Sequence, residues 1–208
     1  MSQAGSRAPA LVGAGLYPEE AMKREHTVYE RAVRIVIAAV VILLVPLVAM
    51  QFTDQVVWGP GDFAVAGALL IGTGLLYELA VRKSANAVYR IAVGVALAAA
   101  FLLIWINLAV GIIGEPDELA NAMYFGVLAV GLIGAVFARF HPQSMAYALF
   151  ATAFAQALVG AIVLIFSLGD AMTGRLETVV LNGLFVALFA GSALLFRRAA
   201  RGSEHAIP

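Results

Sequence analysis

Long apolar blocks, separated by short polar stretches, are the dominant pattern of the chain. Six blocks reach the length of about 20 residues that a helix needs to cross the hydrocarbon core of a bilayer. Their predicted bounds are 32–52, 63–81, 89–113, 119–138, 145–167 and 177–196. Within hydrocarbon each block must be helical, because only a helix pairs every backbone N–H and C=O inside its own segment. The pattern therefore predicts an all-α integral membrane protein with six transmembrane helices.

The polar segments at the two ends complete a division into four regions. Residues 1–17 are small, polar and rich in glycine, which predicts a flexible tail. The segment 18–31 opens with Pro18 and two glutamates, a favourable start for a cytoplasmic amphipathic helix that leads into the first span. The six-helix transmembrane domain is predicted at 32–197, followed by a cytoplasmic tail at 198–208.

Basic residues are concentrated in alternate connections. The N-terminal segment, the second and fourth connections and the C-terminal tail hold all of the 13 Lys and Arg residues except Arg175. The other connections carry most of the acidic residues. Because short loops rich in Lys and Arg stay on the cytoplasmic side, both termini are predicted to be cytoplasmic. The spans would then form three helical hairpins, each with an acidic outer turn.

Composition agrees with a membrane location. Hydrophobic residues make up 62% and charged residues 12% of the chain, about half the charged share of a typical soluble domain. The formal net charge is zero, so no basic field is present to attract nucleic acid, and none is expected as a partner. Arginine outnumbers lysine, and alanine, valine and glycine are abundant, as in GC-rich bacterial genomes. This balance favours a bacterial inner membrane.

Polar side chains at membrane depth are the informative ones, because they are costly there and usually face the interior of a bundle. Glu78 lies near the end of the second span, four residues before Arg82. It is compatible with a carboxylate that handles protons or cations, and with an interfacial residue paired with Arg82 or Arg139. Asn107 and Asn182 fall in the outer halves of their spans, where they would line an outward-facing cavity or join neighbouring helices.

One narrow stripe of small and polar residues runs along the fifth span. Ala148, Thr152, Gln156 and Gly160 follow each other at intervals of four residues and therefore share one helix face. Two interpretations are open. The stripe is either a seam against other helices, across which Gln156 forms hydrogen bonds, or the lining of a polar cavity.

Small residues also recur at four-residue spacing on the even-numbered spans. They are Ala64, Ala68 and Gly72 on the second span, Gly131, Gly134, Ala135 and Ala138 on the fourth, and Ala187 and Gly191 on the sixth. Such ridges let helix backbones approach closely, so they predict a close-packed bundle within the chain or between protomers. Aromatic residues near span ends are typical of the interfacial belt. We expect this position for Trp58, Tyr77, Tyr89, Tyr124 and Tyr147.

Several chemistries lack the residues they need. The chain contains no cysteine, and its three histidines, His26, His141 and His205, all lie outside the predicted spans, where they would not ligate an intramembrane haem. Neither the H-E-x-x-H nor the G-x-S-x-G pattern occurs. We therefore expect no catalytic residue, no metal site and no cofactor, and the chain is not predicted to be an enzyme.

Two classes of function remain. The first is a non-catalytic multi-pass protein, a small accessory, stress-related or scaffold subunit that packs against the lipid bilayer, a second copy of itself or another membrane protein. The second is a small-solute or ion transporter or channel, which the polar residues at depth would serve. A water-filled cavity around the polar stripe would favour transport, and contact of the stripe with other helices would favour the accessory role.

Overall fold

A computed structural model describes residues 17–53, 57–82, 84–109, 112–113, 119–166 and 173–204. Within these ranges the backbone forms six α-helices and one short 3₁₀ helix, and it contains no strand. The α-helices are α1 (Tyr17–Ala49), α2 (Pro60–Val81), α3 (Ala87–Ala109), α4 (Ala122–Ala138), α5 (Pro142–Ile165) and α6 (Thr173–Glu204), and the 3₁₀ helix is Leu119–Asn121. The predicted tail before Tyr17 and the acidic turns at 114–118 and 167–172 lie outside the described residues.

Each of the six predicted spans is confirmed as a helix that is long and apolar enough to cross a membrane. The qualifying segments are Tyr29–Ala49, Pro60–Val81, Ala87–Ala109, Leu119–Ala138, Pro142–Ile165 and Leu176–Gly202. The described part of the chain is thus all-helical, and the six helices indicate a multi-pass membrane protein.

The helix ends differ from the predicted span ends where local chemistry extends or stops a helix. α5 begins at Pro142, because a proline in the first turn lacks only an N–H that would have no partner there. α6 continues past the predicted span to Glu204, through a stretch of alanine and arginine that favours helix. α1 runs without interruption from Tyr17 to Ala49 and contains Pro46, whose missing N–H leaves the carbonyl of Ile42 without its usual donor.

The chain divides into two compact units, Met1–Trp58 and Gly59–Pro208. The first contains α1, and the second contains α2 to α6. In the second unit α5 packs against α4 and α6, α6 packs against α3, and α3 contacts both α2 and α4. The largest fully buried apolar side chains of this unit come from α3, α4 and α6 and from the segment before α4: Leu103, Ile113, Tyr124, Val127, Phe185 and Phe196. Val81 of α2 and Met145, Leu149 and Val159 of α5 belong to the same core, so all five helices of the second unit contribute to it.

Two hydrogen bonds join three segments at one end of the second unit. The Asn86 amide donates to the carbonyl oxygen of Ala199 (3.5 Å), and the Tyr89 hydroxyl donates to that of Phe140 (2.9 Å). This end, which we call the basic end, carries the described arginines Arg82, Arg90, Arg139, Arg197, Arg198 and Arg201. Asp62 lies in the first turn of α2, and Glu177 lies near the start of α6. Both residues are at the opposite end of the unit.

The expectation that Tyr89 and Tyr124 belong to an interfacial belt is wrong. Tyr89 is buried and packs edge-on against Phe196, with ring centroids 5.2 Å apart. Tyr124 is fully buried inside the bundle. Both hydroxyls find protein partners, so these tyrosines connect helices, whereas Tyr147 is exposed, as expected for a belt residue.

Candidate functional site

Polar side chains buried in the second unit define the candidate site. Among the described residues they are Asn107, Asn121, Thr152, Gln156, Thr178, Asn182 and Ser192. Except for Ser192, they fall into two groups, one between α4, α5 and α6 and one at the start of α4. The first group contains three of the residues that the sequence singled out: Thr152, Gln156 and Asn182.

Asn182 is the centre of the first group and links three helices. It accepts a hydrogen bond from Gln156 of α5, with a distance of 2.9 Å between Nε2 and Oδ1. Its own Nδ2 donates to the hydroxyl of Tyr124 on α4 (3.1 Å) and to the backbone carbonyl of Thr178 one turn earlier on α6 (2.8 Å). The Tyr124 hydroxyl in turn lies 3.3 Å from Asn182 Oδ1, to which it donates. We call Tyr124, Gln156 and Asn182 the amide cluster.

Gly160 allows α5 to approach the amide cluster closely. It lies one turn after Gln156, and a Cβ built on it would be 3.1 Å from the Cβ of Asn182 and 3.2 Å from its Oδ1. These separations are shorter than ordinary van der Waals contact. A glycine at this position therefore lets α5 and α6 come close enough for the Gln156–Asn182 hydrogen bond.

The other half of the stripe on α5 contacts α4. A Cβ built on Gly134 would lie 2.7 Å from the Cβ of Ala148, and one built on Gly131 would lie 3.2 Å from Oγ1 of Thr152. Thr152 directs that hydroxyl to the carbonyl of Ala148 on its own helix, at 2.9 Å. In hydrocarbon this bond gives the hydroxyl a partner without water. The stripe thus contacts α4 through Ala148 and Thr152, and α6 through Gln156 and Gly160.

One polar atom of the amide cluster has no partner. Within the described residues, Oε1 of Gln156 is the buried side-chain oxygen or nitrogen without a hydrogen bond, and the residue itself is 0% exposed. An unpaired buried acceptor costs about 1–3 kcal/mol relative to a paired one. Gln156 therefore contributes one favourable bond and one unsatisfied atom to the α5–α6 contact.

The second group surrounds Asn121, immediately before α4. Its Oδ1 accepts the backbone N–H groups of Ile112 and Ile113, at 3.1 and 2.9 Å, and its Nδ2 donates to the carbonyl of Ile113 at 3.2 Å. Asn107 of α3 donates from Nδ2 to the backbone carbonyl of Asn121 at 3.0 Å. Asn107 thus fixes the contact between α3 and the start of α4.

Replacing Asn121 with alanine should open this group locally. The amides of Ile112 and Ile113 lose their acceptor, so we expect their hydrogen exchange to accelerate about tenfold, which corresponds to a loss of about 1.4 kcal/mol. Exchange measured by mass spectrometry on the peptide that contains both residues checks this. Asn107→Ala is the matched control, because it removes a neighbouring asparagine but leaves both amides bonded; equal acceleration in the two variants would contradict the assignment.

Glu78 belongs to neither group. It is half-buried on α2, and its backbone carbonyl accepts the N–H of Arg82 at 3.0 Å. α2 packs against α3 in the second unit, whereas the amide cluster lies between α4, α5 and α6. The structure therefore brings Gln156 together with Asn182, and leaves Glu78 and Asn107 at other places in the fold.

Sequence reasoning missed three of the residues in these contacts. The position of Tyr124 near a span end predicts a place at the membrane interface, and Asn121 carries no predicted role. Ser192 carries no predicted role; its hydroxyl donates to the carbonyl of Ala92 across the α3–α6 contact, at 2.7 Å. The available signal was the same for all three, namely a hydrogen-bonding side chain within or beside an apolar block.

The described residues offer no metal site of the usual kind, since they contain no group of three or more His, Cys, Asp or Glu side chains placed to hold an ion. Comparison of the chain with protein-family models, with curated proteins and with solved structures finds no match.

Proposed function

We propose that this chain is a non-catalytic multi-pass membrane protein, an accessory, stress-related or scaffold subunit that works by packing against lipid, another copy of itself or another membrane protein. One observation carries the proposal: the polar stripe on α5 is in contact with other helices along its length. Gln156 bonds to Asn182, and Thr152 lies against Gly131. Side chains engaged in this way support the role of a rigid bundle.

We further propose that the spans form three hairpins with both termini in the cytoplasm of a bacterium and the helices in its inner membrane. The separation of charge along the second unit supports this orientation. Arg82, Arg90 and Arg197 lie at the basic end, and Asp62 and Glu177 lie at the other. Because positively charged segments are retained in the cytoplasm, the basic end would face inward.

A small-solute or ion transporter or channel is the second candidate, and the unpaired Oε1 of Gln156 is the observation that favours it. A carbonyl oxygen buried near the middle of a span can accept a hydrogen bond from a polar solute or help to coordinate a cation. In that case, the amide cluster would become accessible to water during a transport cycle.

Labelling of single cysteines separates the two candidates, because the chain has no cysteine of its own. In native membranes we expect Gln156→Cys and Thr152→Cys to resist a membrane-impermeant thiol reagent, since both positions are buried between helices. Gln143→Cys, at the exposed start of the same helix, is the control. It should react rapidly in inverted vesicles and remain unreacted in spheroplasts.

The experiment tests the packing role and the orientation separately. Labelling of both buried positions in folded protein, verified by size-exclusion chromatography, would overturn the packing role in favour of transport. Labelling of Gln143→Cys in spheroplasts would overturn the orientation and leave the packing role standing.

A further inference from the structure

A cavity lies between α2 and the start of α3, at the basic end of the second unit. Its volume is about 440 Å³, and its lining residues are Tyr77, Ala85, Ala87, Arg90, Ile91 and Gly94. Tyr77 lies in the last part of α2, and Arg90 follows closely on the start of α3 at Ala87. In a membrane this cavity would lie at the depth of the lipid headgroups, because both helices end here.

Two of the lining side chains, those of Arg90 and Tyr77, carry hydrogen-bond donors. Within the described part of the chain, neither the Arg90 guanidinium nor the Tyr77 hydroxyl has a hydrogen-bonding or ionic partner. The Tyr77 ring packs over Gly94, with Cε2 3.8 Å from the position of a Cβ there. A guanidinium with five donors and a phenolic hydroxyl are suited to phosphate oxygens.

The connection that forms one wall of the cavity is held by hydrogen bonds. Oδ1 of Asn86 accepts the N–H groups of Val88 and Tyr89, at 2.9 and 3.2 Å, and so caps the start of α3. The Asn86 N–H is bonded to Oγ of Ser84 at 3.3 Å, and its side-chain amide to Ala199 of α6 at 3.5 Å. Arg90, one turn from Asn86, therefore projects from a fixed point, and the positive end of the α3 dipole adds to its field.

We propose that this cavity binds the phosphate of an anionic phospholipid. Arg90 and Tyr77 would hold the phosphate, and an acyl chain would lie along Ile91, which is exposed and faces away from the core. The lining is otherwise formed by alanine and glycine, so most of the affinity for an occupant must come from apolar contact. This favours a lipid over a free phosphate ion, for which one guanidinium offers little in water. Arg82, exposed at the end of α2, adds charge that favours an anionic headgroup.

Lipid binding to the full-length protein tests the proposal. Delipidated protein in neutral detergent would be titrated with dioleoyl-phosphatidylglycerol or dioleoyl-phosphatidylcholine, and the bound fraction counted by native mass spectrometry. We expect one preferred phosphatidylglycerol, and Arg90→Gln should weaken its binding about tenfold, as for the loss of a charge-assisted hydrogen bond. Arg198→Gln is the matched control: it removes one exposed arginine of the basic end away from the cavity and should cost less than about fivefold.

A second variant and a competition with inorganic phosphate extend the test. Tyr77→Phe removes only the hydroxyl and should weaken binding about threefold, which keeps the test informative where Arg90→Gln alters the fold. Equal losses for Arg90→Gln and Arg198→Gln would overturn the proposal and indicate diffuse attraction to the basic end. Displacement of the lipid by millimolar inorganic phosphate would overturn it in favour of a free-anion site.

Discussion

Replacing Gly134 with alanine should destabilise the bundle by about 2 kcal/mol, the usual cost of forcing a methyl group into a filled contact. The added Cβ would lie 2.7 Å from the Cβ of Ala148 and 3.3 Å from its Cα. Neither atom belongs to a flexible side chain, so α4 and α5 must move apart. That movement would also loosen the contact between Gly131 and Thr152 one turn away.

The same substitution at Gly126 provides the control on the same helix. No atom lies within 4 Å of a Cβ built there, so Gly126→Ala should be neutral or stabilising by up to about 1 kcal/mol, because alanine favours helix over glycine. Reversible unfolding in mixed micelles with increasing dodecyl sulfate measures both variants. The double variant Gly134→Ala/Ala148→Gly should recover most of the loss, since it moves the methyl group from one helix to the other. Equal stabilities for Gly126→Ala and Gly134→Ala would show that α4 does not pack on α5 through Gly134.

The spans were predictable because their signal is local. An apolar block of sufficient length must be helical in hydrocarbon whatever surrounds it, and all six blocks became helices. The α4 ridge was predictable for a similar reason: Gly131 and Gly134 mark a place where another backbone can approach. The sequence did not show that Ala148 and Thr152 of α5 would be the partners.

The amide cluster required information that one sequence does not contain. The position of Gln156 in its span gave its depth, but its bond to Asn182 depends on which faces of α5 and α6 meet. Tyr124 was misplaced because proximity to a span end is shared by belt residues and by buried residues that connect helices. The difference lies in the rotation of α4 about its axis, and the weak amphipathicity of an apolar helix leaves that rotation undetermined.

With few charges at depth, the helices of the second unit are held by close backbone approach and by amide and hydroxyl hydrogen bonds, which need no water. Ser192 bonds to the carbonyl of Ala92 between α3 and α6, and Asn182 serves the same purpose between α4, α5 and α6. The stability of the bundle should therefore depend on a few polar side chains to very different degrees.

Replacing Asn182 by an apolar residue of similar shape should lower the free energy of unfolding far more than the same kind of replacement at Gln156. Asn182→Leu leaves Nε2 of Gln156 and the hydroxyl of Tyr124 without partners inside the bundle. Since each buried group left unpaired costs about 1–3 kcal/mol, we expect a loss of about 3 kcal/mol. Gln156→Met removes its unpaired Oε1 together with its one bond. Asn182 keeps its bonds to Tyr124 and to Thr178, so we expect a loss below about 1 kcal/mol.

The double variant Asn182→Leu/Gln156→Met measures the coupling energy between the two residues. Once Gln156 is methionine, the substitution of Asn182 no longer leaves an unpaired amide on α5. The combined loss should therefore be smaller than the sum of the single losses by about 1–2 kcal/mol, as measured by the same unfolding titration. If Gln156→Met instead costs as much as Asn182→Leu, its Oε1 must have a bonded partner in the membrane. A bound water or solute between α5 and α6 would then replace simple packing as the role of the cluster, and the case for transport would rest on that atom.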